Sequence, residues 1–472
     1  MIIFICCIGN ASANSGDAIN EINSSDCGGY DSLEVQNDTD LKYQNDDCAI
    51  DKSESNGTNI SITSDESNQL LTDENNGEIL SFDDLQQMIN DAETGSILRL
   101  TNSFKYSGSI GGQGIVISKS LTIIGKNNCS IDGVGKSRIF KIGSDCKVTI
   151  ADVTFKNGYC RGIVSKSQDG AAINALKGSS LIVRNCIFMN NKVYNANGAA
   201  IYGNENTMIK IMNSKFIGNE AIRSSNVAFN KFKRGIGSAV YVNIGSILRT
   251  DNSIYQKNAA YASTIYVASY ENSKYSLSTA MINNCRFYYN TAKIHSIFYL
   301  DKFSKGSVGA TVFKGNRVYD SGSILKLDAS KSFVVQNSKF VKNTAVSGII
   351  YLGEFKDSKL GYGTSTVKVT TCSFYYNKAY CGGSIFSQSG SLNVISTFFL
   401  GNAATKNGGA IATNNNGALK LYNCNFRSNR AMYGGAIYSF IKGATATKCY
   451  FINNLASRAG PDIYGTVTNI SS

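Results

Sequence analysis

The sequence predicts an all-β fold, a right-handed three-sheet parallel β-helix with a short N-terminal capping helix. Two recurring columns of residues indicate this fold. An aromatic residue recurs eleven times at intervals of 25 to 39 residues, and asparagine stands three positions later in ten of the eleven copies. A column of isoleucine or valine, in contexts such as Gly-Gly-Ala-Ile, recurs equally often. Helical spacing is absent from the repeats and the chain has one proline, as expected of stacked short strands.

The members of each column can be read directly from the sequence. The aromatic column comprises Phe155, Phe188, Phe216, Tyr255, Phe287, Phe313, Phe340, Phe374, Phe399, Phe426 and Phe451. The asparagine column comprises Asn191, Asn219, Asn258, Asn290, Asn316, Asn343, Asn377, Asn402, Asn429 and Asn454. The second apolar column comprises Ile173, Ile201, Val240, Ile265, Ile297, Ile324, Ile350, Ile385, Ile411, Ile437 and Ile463. We expect the asparagines to form a structural ladder at one corner, because each side-chain amide can bond to the next.

A single repeat contains three short strands. The segment 408–429, GGAIATNNNGALKLYNCNFRSN, has three alternating runs separated by Asn and Gly, residues that tolerate tight turns. Such a unit cannot bury its apolar face alone, but stacked copies can, with each strand pairing in parallel with its equivalent one coil away. At a strand spacing of about 4.8 Å, about 12–13 coils would make a rod on the order of 60 Å long.

Composition divides the chain into segments. Residues 1–13 are apolar and end in Ala-Ser-Ala, which resembles a secretory signal without its basic start, although a disordered apolar terminus is the alternative. Residues 14–80 carry 16 acidic residues against 2 lysines and predict a disordered linker, either a plain spacer or a glycosylated one. Residues 81–96 predict an amphipathic helix that caps the first coil, 97–466 the β-helix, and 467–472 a tail.

Charge bears on the partners of the chain. Residues 81–472 hold 44 Lys and Arg against 18 acidic residues, so the rod is basic and suits an anionic polymer such as a wall polysaccharide. Nucleic acid is not expected, because the basic residues are scattered and no recognition motif accompanies them. No stretch is apolar over the length that a bilayer requires, so we do not expect an integral membrane protein.

The alternating GGAI and FxxN motifs resemble the β-helical adhesin-like surface proteins of methanogenic archaea over roughly residues 81–464. More loosely, they are similar to the passenger repeats of chlamydial polymorphic outer-membrane proteins, although no membrane-barrel segment follows Ile463 here. The resemblance implies an extracellular or cell-surface protein without enzymatic activity that contacts glycans or proteins of another cell or host. A structural coat protein that self-associates through its solenoid ends is an alternative.

Three longer loops, which follow the strands near Ile265, Ile297 and Ile350, form the predicted contact site. Because they leave equivalent strands, stacking should place them on one side of the rod within three coil steps. Exposed aromatic rings beside lysines suit sugars and anions, although ordinary surface loops carry similar residues. The predicted binding residues are Tyr270, Lys274, Tyr275, Lys302, Phe303, Lys305, Phe355, Lys356, Lys359 and Tyr362.

No catalytic, metal or cofactor site is predicted. His295 is the one histidine, which excludes a His-based triad and a multi-histidine metal site, and we expect it to be structural. Five cysteines lie two positions before the aromatic column and should point inward as free thiols, with a bond between neighbouring coils as the alternative. They are Cys186, Cys285, Cys372, Cys424 and Cys449.

The rival function is that of a polysaccharide lyase or hydrolase. Pectate lyases and related carbohydrate enzymes use the same β-helix, and the fold alone does not decide between the two functions. Such enzymes need clustered carboxylates, either for Ca²⁺ or as an acid pair. Acidic residues in the coils number about one per coil, and no pair is expected at equivalent positions of neighbouring coils. The sequence therefore favours a protein without enzymatic activity.

Overall fold

The structure, a computed structural model, describes residues 78–107, 109–162, 168–224, 234–269, 277–357, 361–414 and 416–470. The predicted signal-like segment and the acidic linker up to residue 77 lie outside the described residues. Within these ranges the strands stack into long parallel sheets, and the predicted parallel β-helix is confirmed. The one helix of this part of the chain, Phe82–Asp91, is too short and too polar to cross a membrane.

Each coil visits three sheets in the same order, and we name them after the residues that line the interior: the Ile sheet, the Leu sheet and the Phe sheet. The Phe sheet has 14 strands, Ile79–Ser81, Ser103–Lys105, Ser130–Asp132, Thr154–Lys156, Ile187–Met189, Lys215–Ile217, Ile254–Gln256, Arg286–Tyr288, Val312–Lys314, Lys339–Val341, Ser373–Tyr375, Phe398–Leu400, Asn425–Arg427 and Tyr450–Ile452. The Leu sheet has 14 strands, Ile97–Leu100, Leu121–Gly125, Lys147–Ala151, Ser180–Arg184, Met208–Met212, Ile247–Asp251, Thr279–Asn283, Lys305–Gly309, Ser332–Gln336, Thr366–Thr370, Ser391–Ile395, Ala418–Tyr422, Thr445–Thr447 and Thr468–Ile470.

The Ile sheet is the widest, because in several coils the strand after the asparagine corner continues into it. Its strands are Ile115–Ile117, Phe140–Ile142, Tyr159–Arg161, Ile173–Ala175, Lys192–Tyr194, Ile201–Gly203, Glu220–Ile222, Ile236–Val242, Ala259–Ala260, Ser263–Val267, Thr291–Leu300, Arg317–Asp328, Ile350–Asp357, Gly361–Thr364, Ile385–Ser387, Ile411–Thr413, Ile437–Ser439 and Ile463–Gly465. A narrower four-stranded sheet beside it comprises Lys378–Cys381, Ala403–Asn407, Arg430–Tyr433 and Leu455–Ala459.

The aromatic column forms a continuous internal stack. From Phe155 to Phe451 successive ring centroids lie 4.6 to 5.0 Å apart, and the rings are within 10° of parallel. The separation follows from the strand spacing, because each ring projects from the same position of paired strands. Tyr255 occupies one place in the stack, and its buried hydroxyl lies 2.8 Å from the hydroxyl oxygen of Thr250. The polar tip of the tyrosine is thereby satisfied inside the core.

The predicted asparagine ladder is present at the corner that follows the Phe sheet. From Asn191 to Asn429, each side-chain NH₂ donates to Oδ1 of the next asparagine at 2.9 to 3.0 Å. The same NH₂ also donates to the carbonyl oxygen of an aromatic-column residue one coil back, at 2.8 to 3.1 Å. Asn454 ends the row by donating to Oδ1 of Asp462 at 3.0 Å. The asparagine side chains thus supply hydrogen-bond partners for the buried backbone amides and carbonyls of the corner, which lie outside the regular strand pairing.

The second apolar column departs from the prediction in two coils. Ile265 pairs with Phe298 and Phe298 with Leu325, so Ile297 and Ile324 stand one position before the column. Both isoleucines are still fully buried, in the place that alanine occupies in Gly-Gly-Ala-Ile. Ala260 pairs with Ala292 but Ser263 pairs with Ser296, so the later coil holds one extra residue before the column, which moves Phe298 into it. Spacing alone could not choose between two adjacent apolar residues.

The N-terminal helix begins with a capping box. Ser81 Oγ accepts a hydrogen bond from the Asp84 amide at 3.1 Å, and Asp84 Oδ2 accepts one from the Ser81 amide at 2.7 Å. Leu85 and Ile89 are buried against the first coils, and Met88 is partly buried. The strand Ile79–Ser81 already pairs with Ser103–Lys105 before the helix begins. The Phe sheet therefore starts earlier and has slightly more strands than the predicted 12–13 coils.

The predicted inward thiols of the cysteine column are confirmed. All five are free, and each Sγ lies 3.2 to 3.4 Å from the carbonyl oxygen two residues earlier in the chain. Burial raises the pKa of Cys186 to about 12 and that of Cys285 to about 11. Cys186 and Cys285 are therefore packed as small apolar groups and remain protonated at neutral pH, whereas Cys449 is only partly buried and the hydrogen bond with Cys424 lowers its pKa.

Candidate functional site

The outer face of the Ile sheet carries a row of tyrosines that the sequence analysis did not identify. Tyr202, Tyr241, Tyr266 and Tyr299 occupy paired positions in successive coils, and their ring centroids lie 4.9 to 5.1 Å apart. The signal was present in the sequence, because each tyrosine directly follows a member of the second apolar column or its shifted equivalent. Alternation along a strand turns that next residue outward, so the row lies outside the solenoid core.

Two carboxylates meet the end of this tyrosine row. Asp301 is 4% exposed and accepts a hydrogen bond from the Tyr266 hydroxyl at 2.9 Å, with the Tyr299 hydroxyl 3.5 Å from its other oxygen. The Tyr299 hydroxyl also donates to Asp328 Oδ2. Lys326 Nζ lies 3.4 Å from that same Asp328 oxygen. Asp301 and Asp328 therefore share one phenol, and the Lys326 ammonium compensates part of the charge of Asp328.

This cluster contradicts the prediction that no two acidic residues recur at equivalent positions. Leu300 pairs with Leu327, so Asp301 and Asp328 follow the same strand position in neighbouring coils. The pairing was missed because the register shift makes sequence distances unreliable in these coils. Burial, followed by the nearby carboxylates, holds the pKa of Tyr299 well above its ordinary value. The phenol therefore stays protonated and acts as a hydrogen-bond donor.

A cavity of about 150 Å³ opens beside this cluster. It is lined by His295, Ser321, Gly322, Lys326, Ser347 and Tyr351. The ammonium of Lys326 lies 5.6 Å from the centroid of the Tyr351 ring, whose hydroxyl donates to Gln388 Oε1 at 2.7 Å. A water molecule takes about 30 Å³ of liquid, so this space suits a few waters or a polar substituent of a larger ligand.

Only some of the predicted loop residues lie close to one another. Phe303 and Phe355 meet edge to face, with centroids 5.6 Å apart, and Lys302 Nζ lies 4.3 Å from the Phe355 centroid. Phe303 is 6% exposed, however, so the expectation that it is an exposed contact ring is wrong. The residue has a φ of 58°, and a Cβ on Gly363 would come 2.7 Å from its ring. Phe303 therefore supports the neighbouring segment from beneath.

That neighbouring segment, predicted as a loop, is a β-hairpin. Ile350–Asp357 pairs antiparallel with Gly361–Thr364, with Lys356 opposite Tyr362. Tyr362 is 54% exposed, and its hydroxyl donates to Glu354 Oε2 at 2.9 Å. Lys356 Nζ lies 3.0 Å from Glu354 Oε1 and 5.3 Å from the Tyr362 centroid. The hairpin thus presents an exposed ring that a carboxylate and an ammonium hold in place.

Of the remaining predicted residues, one lies away from the hairpin and the others fall outside the described ranges. Lys305 is exposed at the start of the Leu-sheet strand Lys305–Gly309, where it pairs with Thr279 and Ser332. Four predicted residues fall in ranges that the structure does not describe: Tyr270, Lys274, Tyr275 and Lys359. We define the loop face as Lys302, Phe355, Lys356, Tyr362 and Glu354. Within the described ranges, no three His, Cys, Asp or Glu side chains converge as a set of metal ligands.

Among known proteins, the chain is similar in fold to several solved structures. No protein-family model matches the chain, and no curated protein matches it in sequence. One similar solved structure is a PL6 alginate lyase in complex with a trisaccharide, at 12% identity and a TM-score of 0.37, covering 76% of this chain and 84% of that one. Another is PfbA, a surface adhesin of Streptococcus pneumoniae, at 11% identity and a TM-score of 0.35, covering 84% and 93%. A third is tailspike protein 3 of bacteriophage CBA120, at 8% identity and a TM-score of 0.26, covering 80% and 60%.

These likenesses concern proteins with different activities, and the identities are too low to transfer any of them. The function has to be argued from the side chains that this chain presents. On its own geometry, the chain is a parallel β-helix protein.

Proposed function

We propose that this chain is an adhesin-type β-helix of the cell surface, a rod without catalytic activity that contacts glycans or proteins of another cell through its loop face. The observation that carries the proposal is the hairpin. Tyr362 is exposed, and it is held by Glu354 and Lys356 instead of moving freely. A ring fixed beside charged groups can stack on a sugar and hydrogen-bond to its hydroxyls with little loss of side-chain entropy.

Fixation of the hairpin depends on charge. Although burial acts to raise the pKa of Glu354, hydrogen bonds from Lys356 and Tyr362 outweigh it and lower that pKa below its ordinary value. The Glu354 hydrogen bond raises the pKa of Lys356 in turn. Both groups are therefore charged at neutral pH. The loop face offers two ammonium groups, a carboxylate and two aromatic rings to a partner.

The buried acid cluster supports a binding role over catalysis. Asp301 already accepts hydrogen bonds from Tyr266 and from the amide of Lys302, at 2.9 Å each, and it is almost fully buried. Burial raises the pKa of Tyr299 far above neutrality, so its hydroxyl is poorly suited to act as a general base near pH 7. These groups form a buried hydrogen-bond network that links neighbouring strands of the Ile sheet.

Cleavage of a polysaccharide is the second candidate function, and one observation favours it. Lys326 faces the cavity beside His295 and is paired with Asp328, so a cation and a titratable imidazole share an open space. A lyase needs a base for the proton beside a uronate carboxylate and a cation for the developing charge. We expect no new reducing or unsaturated ends when the protein is incubated with polyuronates. Their formation, abolished by Lys326→Met, would establish the enzyme instead.

A glycan array with whole-cell adhesion as second readout tests the proposed function. The variant joins Tyr362→Ala with Lys356→Ala, and the matched control joins Tyr422→Ala with Lys420→Ala on the outer face of the Leu sheet. Tyr422 is 45% exposed, so both pairs remove similar surface. We expect the hairpin variant to lose about tenfold or more in affinity and the control to bind as the parent does. Equal binding by parent and hairpin variant would reject the loop face.

A further inference from the structure

A second outward surface lies at the corner after the Phe sheet, away from the loop face. The residue immediately before each ladder asparagine turns the chain, and from position 190 to 453 it has a φ between 51° and 65° in every coil. Six successive members of this corner repeat the order Lys-Tyr-Gly twice. We call them the corner array: Lys257, Tyr289, Gly315, Lys342, Tyr376 and Gly401. The unit repeats after three coils, which is roughly 14 Å along the rod.

The fold does not require lysine or tyrosine at this corner. A left-handed backbone costs a residue with a side chain on the order of 1 kcal/mol, which glycine avoids and asparagine tolerates best. Asn190, Gly218 and Asn453 fill the same corner in other coils. Four bulky residues of the corner array accept this strain where a milder residue would suit the turn. The turn therefore does not explain the lysines and tyrosines at these positions, and their outward-pointing side chains call for another role.

Each tyrosine of the corner array lies against the glycine of the next coil. A Cβ on Gly315 would come 2.5 Å from the Tyr289 ring, and one on Gly401 would come 2.5 Å from the Tyr376 ring. The two tyrosines are nevertheless 51% and 49% exposed. One side of each ring is packed on the rod and the other is open. Glycine is needed after each tyrosine because any side chain would displace the ring.

The surface around the corner array carries positive charge. From residue 154 to 454, the Phe-sheet strands and the corners that follow them contain no Asp or Glu. Exposed cations on the outer face add to the corner lysines, with Arg286, Lys314 and Lys339 in three successive coils. None of these five cations forms an ion pair in the described part of the chain. The face thus offers about one unpaired cation per coil, or one per roughly 4.8 Å.

We infer that the corner array binds a linear anionic polysaccharide, bearing carboxylates or sulfates, laid along the rod axis. The open tyrosine faces suit the C–H faces of sugar rings, and the cations suit charges on successive rings. Duplex DNA carries a charge every 1.7 Å or so, which is denser than one cation per coil could match. The straight repeat along the axis fits an extended chain. This surface is separate from the loop face, and its test does not depend on the proposed function.

The test uses the full chain in affinity electrophoresis through gels that contain polygalacturonate or heparin, with neutral dextran and duplex DNA as separate arms. One variant joins Tyr289→Asn with Tyr376→Asn, and another joins Lys257→Asn with Lys342→Asn. Asparagine suits the left-handed corner, so both variants should melt at or above the parent temperature. The charge-matched control joins Lys368→Asn with Lys420→Asn on the outer face of the Leu sheet.

We expect each corner variant to bind the anionic gels about tenfold more weakly, and the lysine variant also to show a weaker dependence on salt. The control should migrate as the parent does, and dextran should retard none of them. Three results would overturn the inference: parent-like binding by both corner variants, tighter binding to DNA than to either polysaccharide, or a lower melting temperature of the tyrosine variant. The last would mean that the rings serve folding instead of binding.

Discussion

Replacement of the central ladder residue, Asn316→Ala, tests how strongly the buried corner holds the rod together. Asn316 makes four hydrogen bonds through its side chain. Its NH₂ donates to the Phe287 carbonyl at 2.8 Å and to Asn343 Oδ1 at 3.0 Å. Its Oδ1 accepts from the amide and the side-chain NH₂ of Asn290, at 2.9 and 3.0 Å. Alanine removes all four.

The expected cost follows from which groups remain without a partner. The Asn290 side chain keeps its bond to the Tyr255 carbonyl at 2.8 Å, but the Asn290 amide and the Phe287 carbonyl lose the ladder bonds described above. A buried polar group without a partner costs about 1–3 kcal/mol, so the substitution should destabilise the protein by about 2–6 kcal/mol. Asn393→Ala, on the outer face of the Leu sheet, should cost less than about 0.5 kcal/mol.

Chemical denaturation followed by circular dichroism measures both variants, and hydrogen exchange of the strands flanking Asn316 shows whether the loss is local, because solenoids can unfold coil by coil. Asn316→Asp refines the test. Its carboxylate would face two acceptor oxygens, which raises its pKa, so its destabilisation should be relieved at low pH and grow as pH rises through the raised pKa. Equal stability of the Asn316 and Asn393 alanine variants would refute the ladder reasoning.

Three further predictions rest on other parts of the chain. Cys186, whose pKa burial raises to about 12, should resist alkylation at pH 7 until the protein unfolds, and rapid labelling in the native state would contradict the packed core. In a carboxyl NMR titration, the pKa of Glu354 should lie below its ordinary value of 4.5. Its contribution to hairpin order is then present above that pH and is lost as the pH falls through the lowered pKa. Lys356→Met should move the titration midpoint upward, and an unchanged midpoint would count against the pairing of Glu354 with Lys356. The chain should sediment as a monomer, and concentration-dependent growth would favour the structural coat alternative.

The parts of the fold that repeat were predictable from the sequence. Phe287 packs on Phe313, and Asn316 hydrogen-bonds to Asn343, its equivalent in the next coil. The same residue type is therefore favoured in every coil, and the columns can be identified from the sequence alone. Positions where the coil changes length were not predictable. Ile297 and Phe298 are both apolar, and one extra residue earlier in the same strand decides which of them joins the column. The pairing of Asp301 with Asp328 was hidden for the same reason.

The contact surfaces could be located only roughly. Sequence placed Phe355 and Tyr362 on one side of the rod, but it did not show that residues 350–364 form a hairpin or that Phe303 lies beneath it. Phe303 is buried because its backbone is left-handed, with a φ of 58°, and no local sequence pattern predicts that conformation for a phenylalanine. The corner array was visible as letters in the sequence. The sequence did not show that these residues stand at a left-handed corner or that the Tyr289 ring packs on Gly315.

The central claim is that this β-helix binds glycans without cleaving them, and one experiment measures both properties. The full chain is incubated with polygalacturonate, and retention of the protein by the polymer is followed together with the appearance of new reducing or unsaturated ends. The account predicts retention that weakens as salt rises, with no new chain ends. Passage of the protein without retention, or release of new ends by the purified chain, would contradict it.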